Sequence, residues 1–76
     1  MRLPKLPALN GYDLVAALKQ AGFTVDRQRG SHVILLHSEN GRSVVVPLHK
    51  RDLQPGILHS IIRDAGLSVE QFRRLL

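Results

Sequence analysis

Two apolar runs bracket an Asn-Gly pair: Val33-Ile34-Leu35-Leu36 precedes Asn40-Gly41, and Val44-Val45-Val46 follows it. No other feature narrows the possible folds as much. Asn-Gly supplies the positive φ angles that a tight hairpin turn demands. β-Branched side chains fit a pleated, half-buried surface. Residues 31–37 and 43–46 are therefore expected to be antiparallel strands, the second ended by Pro47, which has no N–H for a ladder. Phe23 and Val25 alternate with Thr24 and Asp26, which predicts an earlier strand with one face buried. The polar stretch Arg27-Gln28-Arg29-Gly30 reads as the turn leading into the next strand.

Helical signals flank the strands. Asn10 is an N-cap, Asp13 complements the first turn, and Leu14, Val15, Leu18 and Ala21 recur at helical spacing before Gly22, so a helix is expected over 11–21. Pro55 suits a first helical turn, Ile57, Leu58, Ile61, Ile62 and Ala65 form an apolar stripe, and Gly66 stops it. Ser68 and Gln71 have capping-box spacing for a short additional helix over 68–75, with Val69, Phe72, Leu75 and Leu76 on its apolar side. Pro4 and Pro7 make residues 1–9 an extended arm. The order helix, three strands, helix implies an α+β sandwich. A three-stranded antiparallel sheet carries the helices on one face and leaves the other to solvent or a ligand. Seventy-six residues form a single domain, 1–76. The middle strand does not say which of its faces is buried, because both His32-Ile34-Leu36 and Val33-Leu35 are largely apolar.

Charge gives the first functional indication. Eleven Lys and Arg against six Asp and Glu leave +5, and the pI is about 10.8. That is the electrostatic footprint of a nucleic-acid binder. With no cysteine, disulfides, thiolate metal sites and a cysteine nucleophile are excluded. No segment approaches the roughly 18 apolar residues of a membrane span. The prolines of the N-terminal stretch break any signal-peptide core, so a cytoplasmic protein is expected. Serine-hydrolase and phosphate-loop motifs are absent, and the scattered carboxylates suggest no two-metal nuclease.

The four histidines, His32, His37, His49 and His59, are the remaining chemistry. His32 and His37 lie five apart on one strand and point to opposite faces, so they do not clamp one metal; no HExxH spacing exists, and no metal or cofactor is expected. His59 reads as a surface residue and His37 as a half-exposed one. Histidine also serves as general acid or base near neutral pH. RNA carries its own nucleophile in the 2′-hydroxyl, and Lys and Arg can stabilise charge on phosphate, so a ribonuclease needs no metal. His32 follows Arg29 by three residues, and His49 adjoins Lys50 and Arg51. Composition and spacing alone leave a non-catalytic RNA-binding module as open as an enzyme.

Ala21-Gly22-Phe23, Arg27-Gln28-Arg29-Gly30-Ser31-His32, Val45-Val46-Pro47-Leu48-His49 and Leu53-Gln54-Pro55-Gly56-Ile57-Leu58 stand in order, and continue into Ile61-Ile62-Arg63 and Ala65-Gly66-Leu67. In these stretches, spanning residues 10 to 68, the chain resembles the HicA-type toxins, the mRNA interferases of HicA/HicB toxin–antitoxin pairs. The resemblance implies a double-stranded-RNA-binding-domain-like α-β-β-β-α fold, cleavage of mRNA, and a HicB-type antitoxin that covers the active site of a toxin monomeric when free. It implies that His32 of Gly-Ser-His is catalytic, with His49 of Pro-x-His as a second catalytic or RNA-contacting residue. RNA contacts are expected from Lys5, Arg27, Arg29, Gly30, Ser31, Lys50 and Arg51. One departure stands out: Gly56-Ile57-Leu58-His59 occupies the place of the family's usual Gly-Thr-Leu-Arg, so a hydroxyl and a positive charge are missing.

Overall fold

A computed structural model describes residues 6–76. Lys5, with residues 1–4 of the expected arm, lies outside them. The first helix, α1, spans Gly11–Gln20 and opens on a full capping box: Asn10 Oδ1 accepts from the Asp13 amide at 2.9 Å, and the Asp13 carboxylate accepts from the Asn10 amide at 3.2 Å. Three strands follow, β1 Phe23–Arg29, β2 His32–His37 and β3 Ser43–Pro47, paired antiparallel in the order β1-β2-β3. Then come α2, Pro55–Asp64, and a short α3, Val69–Arg73. The second capping box forms as its spacing predicts, Ser68 with Gln71. The α-β-β-β-α order with a further short helix is the expected architecture.

One layer of helices packs on one face of the sheet. Leu14 and Leu18 of α1, and Leu58, Ile61 and Ile62 of α2, meet Val33, Leu35, Val44 and Val46 of the sheet in a single buried cluster that Phe23 and Phe72 complete. The shortest extent of the chain is 17 Å, which suits one sheet under one helix layer. Burial settles the ambiguity in β2: Val33 and Leu35 are core, while His32 and Leu36 are exposed. Gly11 lets α1 lie against the end of β3. A Cβ there would collide with the Pro47 carbonyl oxygen and come within 2.9 Å of its carbon.

Three expectations change. Arg27, Gln28 and Arg29 are not a turn; they extend β1 to seven residues, because a register shift between Val25 and Arg27 carries the pairing on to His32. Val25 is 47% exposed instead of buried, since β1 is an edge strand that the helices leave partly uncovered. Ile57 and Leu76, expected on apolar stripes, are exposed. The described part of the arm is held: Leu6 and Leu9 pack against the core, the Leu53 amide donates to the Leu9 carbonyl at 2.7 Å, and Asn10 bridges to Asp52.

Candidate active site on the open sheet face

Residues opposite one another in antiparallel strands present side chains to the same face. The register therefore sets out the uncovered face as three rows. His32 lies between Arg29 and Pro47, Ile34 between Arg27 and Val45, and Leu36 between Thr24 and Ser43. His32 is exposed at the start of the central strand, and both arginines expected near it share its face.

The link between β1 and β2 is only Gly30-Ser31. Gly30 has φ +57° and Ser31 does not have a positive φ, a pattern that fits a type II′ turn with glycine at its first central position. The Gln28 side-chain amide donates to the Gly30 carbonyl at 3.0 Å and braces this turn. The Leu48 amide donates to the Ser31 carbonyl at 2.6 Å, tying the turn to the end of β3. Gly30 and Ser31 are thus exposed and held immediately beside His32.

His49 follows Pro47 by two residues in the loop that leaves the same end of the sheet. It lines an open cleft of about 660 Å³ together with Pro47, Lys50, Arg51, Gln54 and Ile57. Pro47 is the shared element: it stands opposite His32 in the ladder and forms a wall of the cleft. No hydrogen bond joins the His32 and His49 rings among the described residues, and neither ring is engaged by another side chain or carbonyl. The structure brings the two histidines to one end of the sheet, with no hydrogen bond between them among the described residues. Among the described residues the one ion pair is Arg63–Asp64 at 3.8 Å, so Arg27, Arg29, Lys50 and Arg51 face solvent with no carboxylate partner within 4.0 Å.

The other histidines differ. His59 is exposed on α2. His37 is half-buried and fully used: its Nε2–H donates to the Ala21 carbonyl at 2.9 Å, its Nδ1 accepts from the Glu39 and Asn40 amides, and its ring meets Phe23 edge-on at 5.0 Å. It ties the end of α1 to the β2–β3 hairpin. No group of three or more His, Asp or Glu among the described residues is placed to hold a metal ion. Two contributions are not evident from the sequence: Gln28, in the stretch expected to be a turn, braces Gly30 through its side-chain amide, and Pro47, the expected strand terminator and the proline of Pro-x-His, stands opposite His32.

Over residues 11–67 the chain matches a family described as "HicA toxin of bacterial toxin-antitoxin". The chain belongs to the HicA toxin family. The matched segment runs from the start of α1 past the end of α2 and holds Gly30-Ser31-His32, Pro47-Leu48-His49 and the cleft. The α3 helix of this HicA-family chain lies beyond it, and contributes Phe72, fully buried, to the core. As a member of a toxin–antitoxin family, the toxin has an antitoxin as partner. No helix among the described residues is long and apolar enough to cross a membrane. Compared against curated proteins, the chain finds no match.

Proposed function

We propose that this HicA-family toxin is an endoribonuclease that cleaves mRNA without a metal, using His32 as general acid or base. The observation that carries the reading is the placement of His32: exposed, unencumbered by hydrogen bonds, directly opposite Arg29, and one ladder position from a cleft rimmed by Lys50 and Arg51. The chemistry follows from the substrate. A base takes the 2′-hydroxyl proton, the 2′-oxygen attacks the adjacent phosphorus, and the P–O5′ bond breaks. The leaving 5′-oxygen receives a proton, and a 2′,3′-cyclic phosphate remains. His32 carries one of these two protons and His49, across the Pro47 wall, carries the other or contacts RNA. Arg29 and Arg27 offset charge building on the phosphate, a role for fixed cations that general acid–base catalysis needs beside it. Lys50 and Arg51 hold flanking phosphates, and the exposed backbone of Gly30 and Ser31 lies where the strand enters. Lys5, outside the described residues, is a further candidate RNA contact. The site of action is the cytoplasm, where mRNA is available.

The deciding experiment incubates labelled mRNA with purified protein in EDTA. The expected result is cleavage to 5′-hydroxyl ends by the wild type and at least a 100-fold loss in His32→Ala, as removal of a general acid–base group produces. Equal cleavage by both proteins overturns the role of His32. Tight binding with intact RNA from the wild type instead makes the chain a binding module.

A further inference from the structure

The loop between β3 and α2 is fastened at both ends. The Leu48 amide donates to the Ser31 carbonyl at 2.6 Å, and the Leu53 amide donates to the Leu9 carbonyl at 2.7 Å, with Asn10 bridging to Asp52 beside it. The cleft that this loop lines is therefore shaped before any ligand arrives, which lowers the cost of binding one. Its volume of about 660 Å³ is that of a small-molecule site. Three of its walls are apolar: Pro47, the half-buried Leu53, and Ile57, which is 44% exposed.

Two polar side chains stand among these walls with no task in the fold. Gln54 occupies the N-cap position of α2, yet its side chain makes no capping hydrogen bond. Asp52 is exposed, and its carboxylate has no cationic partner within 4.0 Å among the described residues. This interior does not suit phosphate, since a carboxylate repels it and aliphatic walls offer it no donor. Phosphates belong at the rim, on Lys50 and Arg51. A nucleobase suits the interior: its faces are apolar and its edge is polar. Unpaired bases of RNA are read along such edges. A carboxylate can only accept, so Asp52 favours the exocyclic amino group of adenine, cytosine or guanine. Gln54 both donates and accepts, which matches an amino group beside a ring nitrogen. Uracil has no amino group and presents carbonyl oxygens on both sides of its one N–H.

We infer that this cleft is a base subsite for a nucleotide flanking the scissile phosphate, and that Asp52 and Gln54 select a base bearing an exocyclic amino group. The inference rests on the reading of His32 as the cutting residue for its position along the RNA. Pro47 stands opposite His32 and walls the cleft, so the two sites take neighbouring nucleotides. Lys50 and Arg51 fix the strand, and the base contacts choose the sequence.

The test measures binding of single-stranded hexaribonucleotides whose 2′-oxygens are methylated, so that none can be cut. One is all uridine, and the others carry a single adenosine, cytidine or guanosine at each position in turn. The wild type is expected to bind hexamers with an amino base at one position about 10-fold or more tighter than all-uridine RNA. Asp52→Asn and Gln54→Ala are each expected to shrink that preference to about threefold or less without weakening binding of all-uridine RNA. Both side chains are exposed, and matching circular dichroism melts establish that the variants are folded. A wild type indifferent to base identity overturns the inference, as does a preference that neither variant moves. Base-indifferent binding together with weaker antitoxin binding by Gln54→Ala assigns the cleft to protein instead. The binding arm needs no catalysis. A wild type that shows the preference yet leaves unmodified RNA intact counts against the active-site reading alone, and one that cuts RNA at every base alike counts against the subsite alone.

Discussion

At the scale of single residues, two positions do structural work that the site depends on. Gly11 is the point where α1 meets the strand end that carries Pro47, and Pro47 faces His32. Gly11→Ala places a methyl group into the Pro47 carbonyl, which neither backbone can accommodate without moving. Overpacking of this kind costs about 1–3 kcal/mol. The variant is expected to unfold at correspondingly lower urea, and an unchanged midpoint would show that α1 can shift freely. His37 has a different task. Its ring links Ala21 to the Glu39 and Asn40 amides, and it is unavailable for chemistry because both nitrogens are occupied. Two histidines on one strand thus divide cleanly: His37 turned inward for structure, His32 outward with both nitrogens available.

At the scale of elements, the decisive piece is the Gly30-Ser31 turn. Alanine at Gly30 meets a positive φ of 57°, a conformation that costs an L-residue about 1–2 kcal/mol. Gly30→Ala is expected to lower the melting temperature by roughly 4 °C or more and to reduce RNA cleavage, since the turn holds Arg29 opposite His32. An unaltered melt would mean that the turn relaxes to another type at no cost. Much of this level was legible in the sequence, because the signals are local. Asn10 with Asp13, Ser68 with Gln71, and Asn40-Gly41 each act within four residues. The face of β2 was not legible, since Ile34 and Leu36 are as apolar as Val33 and Leu35; only the packing of α1 and α2 distinguishes them. Nor was the extent of β1. Arg27, Gln28 and Arg29 have weak strand preference, and it is pairing with Ile34, Val33 and His32 that makes them a strand. The histidine at the candidate site was identifiable through the Gly-Ser-His resemblance. Its setting between Arg29 and Pro47 was not, because register is a property of two strands and not of one.

At the scale of the whole molecule, charge is distributed so that Arg27, Arg29, Lys50 and Arg51 stand at one end and margin of the sheet with no carboxylate partner among the described residues. RNA binding by such a surface releases counterions, so log affinity should fall linearly with log salt concentration. Lys50→Ala and Arg51→Ala are each expected to make that slope shallower by about 0.7, the contribution of one phosphate contact on a single strand. A slope unmoved by both would place the RNA elsewhere on the molecule. The irregularity between Val25 and Arg27 has a bearing on this charge pattern that comes down to odd and even numbers. Phe23, Arg27 and Arg29 are all odd-numbered, and an uninterrupted strand would direct all three to the same side. Phe23 is in the core. One supernumerary residue, Asp26, reverses the parity, so the aromatic ring goes inward and both guanidinium groups go outward beside His32. The same residues paired without that irregularity would keep every arginine and aim both at the helix layer.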